Sequence, residues 1–294
     1  MSRQALPAAV LPSLSPSSLP GPGPGPVRIG IFDSGVGGLS VMQAIRARLP
    51  QAELLYAADT ANAPYGDRSE DFLCDRSERI ARFLCDQGAQ MIVVACNTAT
   101  AAAVARLRAS SPTLPVVGVE PGVKPAMALS TARRIGVLAT TRTLASEKFR
   151  RLAEAHADGA TLVLQPCPGL ADAIEAADAQ GSGLDVLVER YCAPLCEAGV
   201  DVAVLGCTHY VFARALFERA LPGVQLVDTA EAVARQAARF AAELVERGEA
   251  DAASDADTTA VPAPRAWSSG SPHVLADFSR RWLDLRVDVR DMRC

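Results

Sequence analysis

Short apolar runs alternate with helix-like segments along most of the chain. VRIGIF, ELLYAA and QMIVVA are the first such runs, and each precedes a segment whose apolar residues recur at helical spacing. Strands that are apolar throughout are typical of parallel sheets that helices cover on both faces. The pattern therefore predicts an α/β fold built on mainly parallel strands.

The same pattern starts again in the middle of the chain with RRIGVLAT, ATLVLQ and DVAVLG. IGIFDSG begins at Ile29 and IGVLATT at Ile135, and a cysteine motif follows each at a similar distance. We therefore predict two similar α/β lobes that face each other across one cleft. The first lobe is expected to comprise residues 27–119 and 230–294, and the second residues 120–229.

Composition narrows the class of protein. Residues 1–26 are rich in Pro, Gly and Ser and lack the apolar core of a secretory signal, so we expect a disordered leader. Residues 248–272 contain few apolar residues and are expected to form a long flexible loop before a final helix and strand. The net charge of -4, without a basic stripe, argues against nucleic-acid binding, and no apolar run has the length of a membrane span. We therefore expect a soluble, cytoplasmic protein.

Two cysteines stand where a strand-like run gives way to a helix. Cys96 lies in IVVACNTATAAAV and Cys207 in VAVLGCTHYVF. The carboxyl ends of parallel strands form the ligand crevice of α/β sheets, and a helix amino terminus favours a thiolate. Asn97, Thr98 and Thr208 are expected to cap the helices or to bind a ligand oxygen. Either cysteine alone is as consistent with a structural thiol as with a functional one, but the equivalent pair predicts chemistry.

Two further motifs contain side chains suited to a catalytic or binding site. His209 follows Cys207 by two residues and is able to control the proton of a thiol near neutral pH, although a helix-capping histidine is the alternative. Asp33 and Ser34 precede the glycine-rich turn in FDSGVGGLS. A dinucleotide-binding turn requires glycine where Ser40 stands, so this turn is better suited to a smaller anion such as a carboxylate. An ordinary tight strand-to-helix turn is the alternative, which explains the glycines but not the Asp33-Ser34 pair.

Cofactors and metals are not expected. Cys192 and Cys196 are one helical turn apart, but no second Cys or His pair lies nearby to complete a zinc site. A pyridoxal enzyme needs a lysine for its Schiff base, and the chain contains only Lys124 and Lys148. Neither lysine follows a strand end beside a phosphate-binding turn, so amino-acid chemistry here is expected to proceed without that cofactor.

Six motifs in order, IGIFDSGVGGLSV, YAADTANAPYGDRS, VVACNTATA, VVGVEPGVKPA, GVLATTRT and LGCTHY, together resemble the bacterial glutamate racemases of the aspartate/glutamate racemase superfamily. The resemblance extends from Val27 to about Thr229. It implies two pseudo-symmetric lobes with the active site between them, and cofactor-independent exchange of L- and D-glutamate by two bases. D-glutamate would then supply peptidoglycan in the bacterial cytoplasm, and a homodimer is possible.

The resemblance also implies a role for each catalytic residue. Cys207 would deprotonate L-glutamate, and Cys96 would deprotonate D-glutamate. Asp33 would support Cys96, while His209 would support Cys207. Glu175 stands where the family has a glutamate after a Cys-Pro motif, here CPGLADAIE, and would be a second helper.

Substrate binding would fall to hydroxyls, amides and backbone groups, because charged hydrogen bonds hold carboxylates strongly without a salt bridge. The residues implied are Asp33, Ser34, Tyr65, Gly66, Asn97, Thr98, Thr140, Thr208 and His209, with Thr141 beside Thr140. An aspartate or broad-specificity racemase of the same superfamily is one alternative. A single-cysteine decarboxylase is disfavoured because both cysteines are present. A catalytically silent glutamate-binding regulatory protein is the alternative outside enzymes.

Overall fold

The computed structural model of the protein describes residues 25–157, 159–176, 183–251 and 261–294. The strands are β1 (Arg28–Asp33), β2 (Glu53–Ala58), β3 (Met91–Val94), β4 (Val116–Gly118), β5 (Arg134–Ala139), β6 (Thr161–Pro166), β7 (Val202–Leu205), β8 (Gln225–Val227), β9 (Arg265–Ser268) and β10 (Val289–Asp291). The helices are α1 (Leu39–Arg48), α2 (Glu70–Asp86), α3 (Asn97–Ser110), α4 (Val123–Leu129), α5 (Thr141–Ala145), α6 (Glu147–His156), α7 (Leu170–Ala176), α8 (Leu184–Glu197), α9 (Arg214–Ala220), α10 (Ala230–Glu246) and α11 (Pro272–Leu283).

The strands form two parallel sheets, as the sequence predicts. The first sheet has the order β10-β9-β2-β1-β3-β4, and the second has the order β6-β5-β7-β8. Every pair of neighbouring strands in both sheets is parallel. Four strands of the first sheet, in the order β2-β1-β3-β4, therefore repeat the whole order of the second, with β5 in the place of β1 and β7 in the place of β3.

Helices cover both faces of each sheet, which explains why the strands are apolar throughout. Successive side chains of a strand point to opposite faces. On one face of the first sheet Ile29 and Ile31 pack with residues of α1, α10 and α11, and on the other Phe32 packs with residues of α2 and α3. In the second sheet Val137 faces α4 and α6, whereas Leu138 faces α8. Neither face of these central strands is left to water.

The long loop expected at 248–272 is wrong in part. Residues 265–268 form β9, which pairs with β2 and β10 and adds the carboxyl-terminal strands to the first sheet. Ala266 and Trp267 are both buried, so this strand is covered on both faces. Its four residues are too few to show a strand period beside a polar segment. Residues 252–260 of the expected loop and 1–24 of the expected leader lie outside the described residues.

Two helical segments that follow strands of the second sheet are interrupted. Ser146 ends α5 and begins α6, where its hydroxyl accepts a hydrogen bond from the Phe149 amide at 3.1 Å. The segment CTHYVFARALFERAL begins with a 3₁₀ turn at Thr208–Ala213 before α9. The tighter turn places three buried residues, Thr208, His209 and Tyr210, directly after the strand end.

Candidate active site

One cavity of about 90 Å³ lies at the carboxyl ends of the central strands of both sheets. Its lining residues are Asp33, Ser34, Pro64, Tyr65, Gly66, Asp67, Cys96, Asn97, Thr98, Thr140, Thr141, Cys167, Pro168, Gly169, Ala171, Asp172, Cys207, Thr208 and His209. Every residue that the sequence singles out as catalytic or substrate-binding lines this cavity except Glu175. Cys96 follows β3 and Cys207 follows β7, which are equivalent strands of the two sheets.

Cys96 is the N-cap residue of α3. Its sulfur accepts a hydrogen bond from the Ala99 amide at 3.5 Å and donates to the Ser34 hydroxyl at 3.8 Å. The thiol, and not Asn97 or Thr98, therefore caps the helix. Burial raises the pKa of the Cys96 thiol well above its ordinary value, and the Asp33 carboxylate raises it further. The helix amino terminus does not produce the thiolate expected from the sequence, because burial outweighs the amide contact.

Asp33 ends β1 and is fully buried. One carboxylate oxygen accepts the Ser34 amide at 2.8 Å, and the other accepts the Gly38 amide at 2.7 Å. The Ser34 hydroxyl also lies 3.4 Å from Asp33 Oδ1, where it donates. Burial raises the pKa of Asp33, against the opposing effect of His209 and of the two backbone amides. Cys96, Ser34 and Asp33 thus form a chain of hydrogen bonds.

Cys207 has a different set of partners. Its sulfur lies 3.6 Å from Nδ1 of His209, and Nε2 of His209 lies 2.6 Å from Oε1 of Glu175. Burial lowers the pKa of His209, but its contacts with Cys207 and Glu175 and the charge of Asp33 outweigh burial, so the pKa is raised well above its ordinary value. Burial acts to raise the pKa of Glu175, yet the contacts with His209 and the Val36 amide leave it lowered. The geometry therefore favours a protonated imidazole between a carboxylate and a sulfur.

The glycine-rich turn binds carboxylates, but they belong to the protein. The Ser34 and Gly38 amides hold Asp33, and the Val36 amide donates to Glu175 Oε1 at 3.2 Å. The turn therefore binds small anions, as the sequence predicts, but these anions are the carboxylates of Asp33 and Glu175.

Polar groups from both sheets meet along the cavity. The side-chain oxygen of Asn97 is buried and has no hydrogen-bond partner in the described protein. The Thr98 hydroxyl lies 3.0 Å from that of Thr140, which donates to Thr143 at 2.9 Å. These threonines connect α3, which follows β3 of the first sheet, with α5, which follows β5 of the second sheet. The cavity wall at this point is a shared structure of both sheets.

The hydroxyl of Tyr65 is not free to bind a ligand. It donates to the buried carboxylate of Asp59 at 2.6 Å, and Arg76 also binds that carboxylate, at 2.7 Å. Tyr65 therefore contributes its ring and backbone to the cavity. Gly66 follows on the same wall, and a Cβ atom built on it would lie 3.9 Å from Cβ of Thr140.

Sequence reasoning missed several lining residues. Cys167 and Asp172 line the cavity within the segment CPGLADAIE, and Asp67 lines it beside Gly66. The Cys-Pro motif was the available signal, since it had already placed Glu175. No lysine or arginine is among the lining residues, and Lys148 instead pairs with Glu120 at 3.0 Å.

Within the described residues, no set of three or more His, Cys, Asp or Glu side chains is arranged to hold a metal ion. No helix in the same residues has the length and apolarity needed to cross a membrane.

Comparisons with known proteins agree on one family. Residues 37–237 match the family model described as Asp/Glu/hydantoin racemase. The chain is 47% identical over 250 residues to the glutamate racemase of Pseudomonas aeruginosa, across 84% of this chain and 90% of that protein. Among solved structures, a glutamate racemase isoform from Bacillus anthracis is similar with a TM-score of 0.79 and 29% identity, over 91% of this chain and 97% of that one. The glutamate racemase of Escherichia coli, solved with L-glutamate and the activator UDP-MurNAc-Ala, is similar with a TM-score of 0.77 and 29% identity, over 91% and 98% of the two chains.

Proposed function

This chain belongs to the Asp/Glu/hydantoin racemase family, and we propose that it is an isomerase that interconverts L- and D-glutamate without a cofactor. The observation that supports this most directly is the single cavity shared by Cys96 and Cys207. Each cysteine follows the equivalent strand of its sheet, so two thiols reach one ligand site from two sides. A two-base racemase needs this arrangement, because it removes a proton from one face of a carbon and returns one to the opposite face.

In the forward reaction the sulfur of Cys207 takes the α-proton of L-glutamate. The proton on Cys96 is then delivered to the opposite face of the α-carbon, which gives D-glutamate. The reverse reaction begins with Cys96 as the thiolate and Cys207 as the thiol. The protein gains and loses no net proton in one turnover, because Cys207 takes the α-proton of the substrate while Cys96 gives up its own. Cys207 must then lose a proton and Cys96 regain one, by exchange with solvent, before the next L-glutamate reacts.

The two cysteines differ in their surroundings, and the difference suits the forward direction. Burial and the Asp33 carboxylate raise the pKa of Cys96, which keeps its proton available for donation. Cys207 lies beside His209, whose protonated ring stabilises a thiolate. Glu175 orients that ring and carries the compensating charge. We assign Cys96 and Cys207 as the catalytic bases, with Asp33, His209 and Glu175 as their helpers.

The substrate has two carboxylates and one ammonium group. The hydroxyls of Ser34, Thr98, Thr140 and Thr208 and the backbone of Gly66 are proposed to hold the carboxylates, since the cavity has no lysine or arginine for that task. The unpartnered oxygen of Asn97 is an acceptor suited to the ammonium group. Donors at the α-carboxylate also stabilise the charge that develops there when the α-proton leaves. Cys96, Cys207 and His209 are themselves buried, so each of these contacts becomes stronger once the substrate displaces water from beside them.

We further propose that the D-glutamate supplies peptidoglycan synthesis in the cytoplasm, on the strength of the family resemblance alone. A homodimer stays a prediction, which light scattering on the purified protein would test.

Proton NMR of L-glutamate and of D-glutamate in heavy water tests the proposed reaction. The wild-type protein should introduce solvent deuterium at the α-carbon of both enantiomers and racemise them without added pyridoxal phosphate. Cys96→Ala and Cys207→Ala should each abolish racemisation. Exchange with aspartate instead of glutamate would change the substrate and keep the mechanism. Glutamate binding without exchange of either amino acid would favour the regulatory binding protein.

A further inference from the structure

The glycine-rich turn after β1 lies directly against the side chains that support Cys207. A Cβ atom built on Gly37 would lie 2.3 Å from Nδ1 and 2.7 Å from Cγ of His209, and one on Gly35 would lie 2.2 Å from Oε1 of Glu175. Ordinary contacts of this kind begin at 3.4 Å. The turn therefore has no room for a side chain at either glycine while the pair keeps its position.

Backbone conformation does not explain these glycines. Glycines with positive φ occur elsewhere in the described chain, at Gly88 and Gly169 for example, but Gly35 and Gly37 are not among them. Other residues adopt the φ angles of this turn without strain. Close approach of the turn to Glu175 and His209 is the remaining reason for glycine at both positions.

Hydrogen bonds fix the turn to the same side chains. The Val36 amide donates to Glu175 Oε1, the oxygen that also contacts His209 Nε2. The Ser40 hydroxyl donates to the carbonyl oxygen of Gly37 at 2.8 Å and shares this proton with the carbonyl oxygen of Thr208 at 3.2 Å. The turn follows β1 of the first sheet. Glu175 lies on α7, which follows β6 of the second sheet, and Thr208 and His209 follow β7 of that sheet. These contacts therefore connect the two halves of the protein.

We propose that Gly35 and Gly37 are positioning residues for the Glu175–His209 pair, and that the turn holds this pair against Cys207. This inference rests on the proposed function and deepens it: the base that acts on L-glutamate is set by the first sheet as well as by the second. A displacement of one sheet relative to the other moves His209 relative to the cysteine it supports. The turn thus couples the alignment of the two sheets to the position of His209 beside the Cys207 sulfur.

The size of the effect follows from the geometry. A methyl group at Gly37 requires a shift of roughly 1 Å to restore ordinary contact with the imidazole, which cannot flex like a long side chain. Misplacement of about 1 Å in a catalytic site can cost about 100-fold in rate. The charged or titratable groups that face His209 are Cys207, Glu175, Asp33 and Asp172. Loss of the first two contacts leaves burial as the main influence on the ring, so its pKa should fall.

The experiment combines Gly37→Ala with His209→Asn in a double-mutant cycle on racemisation of glutamate. Each single variant should lose about 10- to 100-fold in kcat/KM, and the double variant should lose far less than the product, because both changes act on one pair. Gly30→Ala is the control, since its Cβ would lie 2.9 Å from Ala89 and Ile92 in the core, away from His209. Because Gly30 and His209 act independently, the loss of kcat/KM in the Gly30→Ala, His209→Asn double variant should equal the product of the two single losses.

A second measurement does not depend on activity. NMR titration of the His209 ring, assigned with His209→Asn, should give a raised pKa in the wild type and a lower one in Gly37→Ala. If Gly37→Ala does not fold, Gly35→Ala provides the same test through Glu175, whose carboxylate end has more freedom to shift. An unchanged His209 titration in a folded variant, or losses that multiply with His209→Asn, would overturn the inference. If the wild-type protein does not act on glutamate, the proposed function is refuted. The NMR titration of His209 would still decide whether Gly35 and Gly37 position the Glu175–His209 pair.

Discussion

Replacing Glu175 with glutamine should test the support of Cys207 with little change of shape. The carboxylate lies 2.6 Å from the His209 ring, and the two side chains are only 23% and 6% exposed. A hydrogen bond to a charged group contributes about 1.5–3 kcal/mol. Since each 1.36 kcal/mol corresponds to tenfold, Glu175→Gln should lower kcat/KM for glutamate by roughly 10- to 100-fold.

The pH dependence of that variant gives a sharper result than its rate. In the wild type the pKa of His209 is raised, so the protonated ring beside Cys207 persists above the usual range of histidine. Activity that needs this ring should fall as the pH rises through the raised pKa. Without the Glu175 carboxylate that pKa falls, and the alkaline limb of the kcat/KM profile should move to lower pH.

A coupled assay that consumes D-glutamate, run on L-glutamate across the pH range, measures both effects. Glu189→Gln is the control, because Glu189 is an exposed residue of α8 and is not in the cavity lining. Its rate and profile should match the wild type. If Glu175→Gln kept the wild-type alkaline limb, His209 would not be the group that controls Cys207, whatever happened to the rate.

Three further changes have distinct expected outcomes. Asn97→Ala should raise KM for glutamate more than it lowers kcat, because the unpartnered oxygen of Asn97 is proposed to bind the ammonium group equally in the ground state and in the transition state. Steady-state kinetics measure both constants, and a change in kcat alone would contradict the prediction. Arg76→Gln should destabilise the protein by about 3 kcal/mol in urea unfolding, since it leaves the buried carboxylate of Asp59 without its cation; Arg150→Gln, in an exposed ion-pair group of α6, should change little. Tyr65→Phe should lower the free energy of unfolding but keep kcat within a few-fold of the wild type, because the hydroxyl binds Asp59. Loss of turnover in a stable variant would show that the Tyr65 hydroxyl takes part in the reaction.

The sequence predicts the sheets and the two cysteines because each signal is local. Apolar runs that end on Asp33, Cys96 or Cys207 show both the buried strand and the residue that leaves it at the ligand edge. The repeat of IGIFDSG by IGVLATT identifies β1 and β5 as equivalent strands, which the order of the two sheets confirms. β9 has no such signal, because its sequence RAWS is polar at both ends and its burial comes from strands far away in the sequence.

Proton equilibria in the site were not accessible from the sequence. A helix amino terminus suggests a thiolate at Cys96, but the thiol is buried beside Asp33, and both facts depend on tertiary packing. The hydroxyl of Tyr65 is likewise committed to Asp59 by a loop whose path the sequence does not show. Residue types and strand ends locate the chemistry, whereas the ionisation of each group depends on how much water the fold removes.

The unequal surroundings of the two cysteines have a consequence that thermodynamics limits. L- and D-glutamate have equal free energies in solution, so a racemase must have the same kcat/KM in both directions. The raised pKa of Cys96, and the histidine beside Cys207, therefore cannot favour one product at equilibrium. In the proposed mechanism L-glutamate needs the form of the enzyme in which Cys96 is protonated, and burial and the Asp33 carboxylate favour that state of the Cys96 thiol. A ligand that needs a less populated form binds with an apparent affinity reduced by the fraction of that form. A free-energy cost of preparing the site for D-glutamate thus raises the KM for D-glutamate. Because kcat/KM must stay equal in the two directions, kcat for D-glutamate must rise by the same factor.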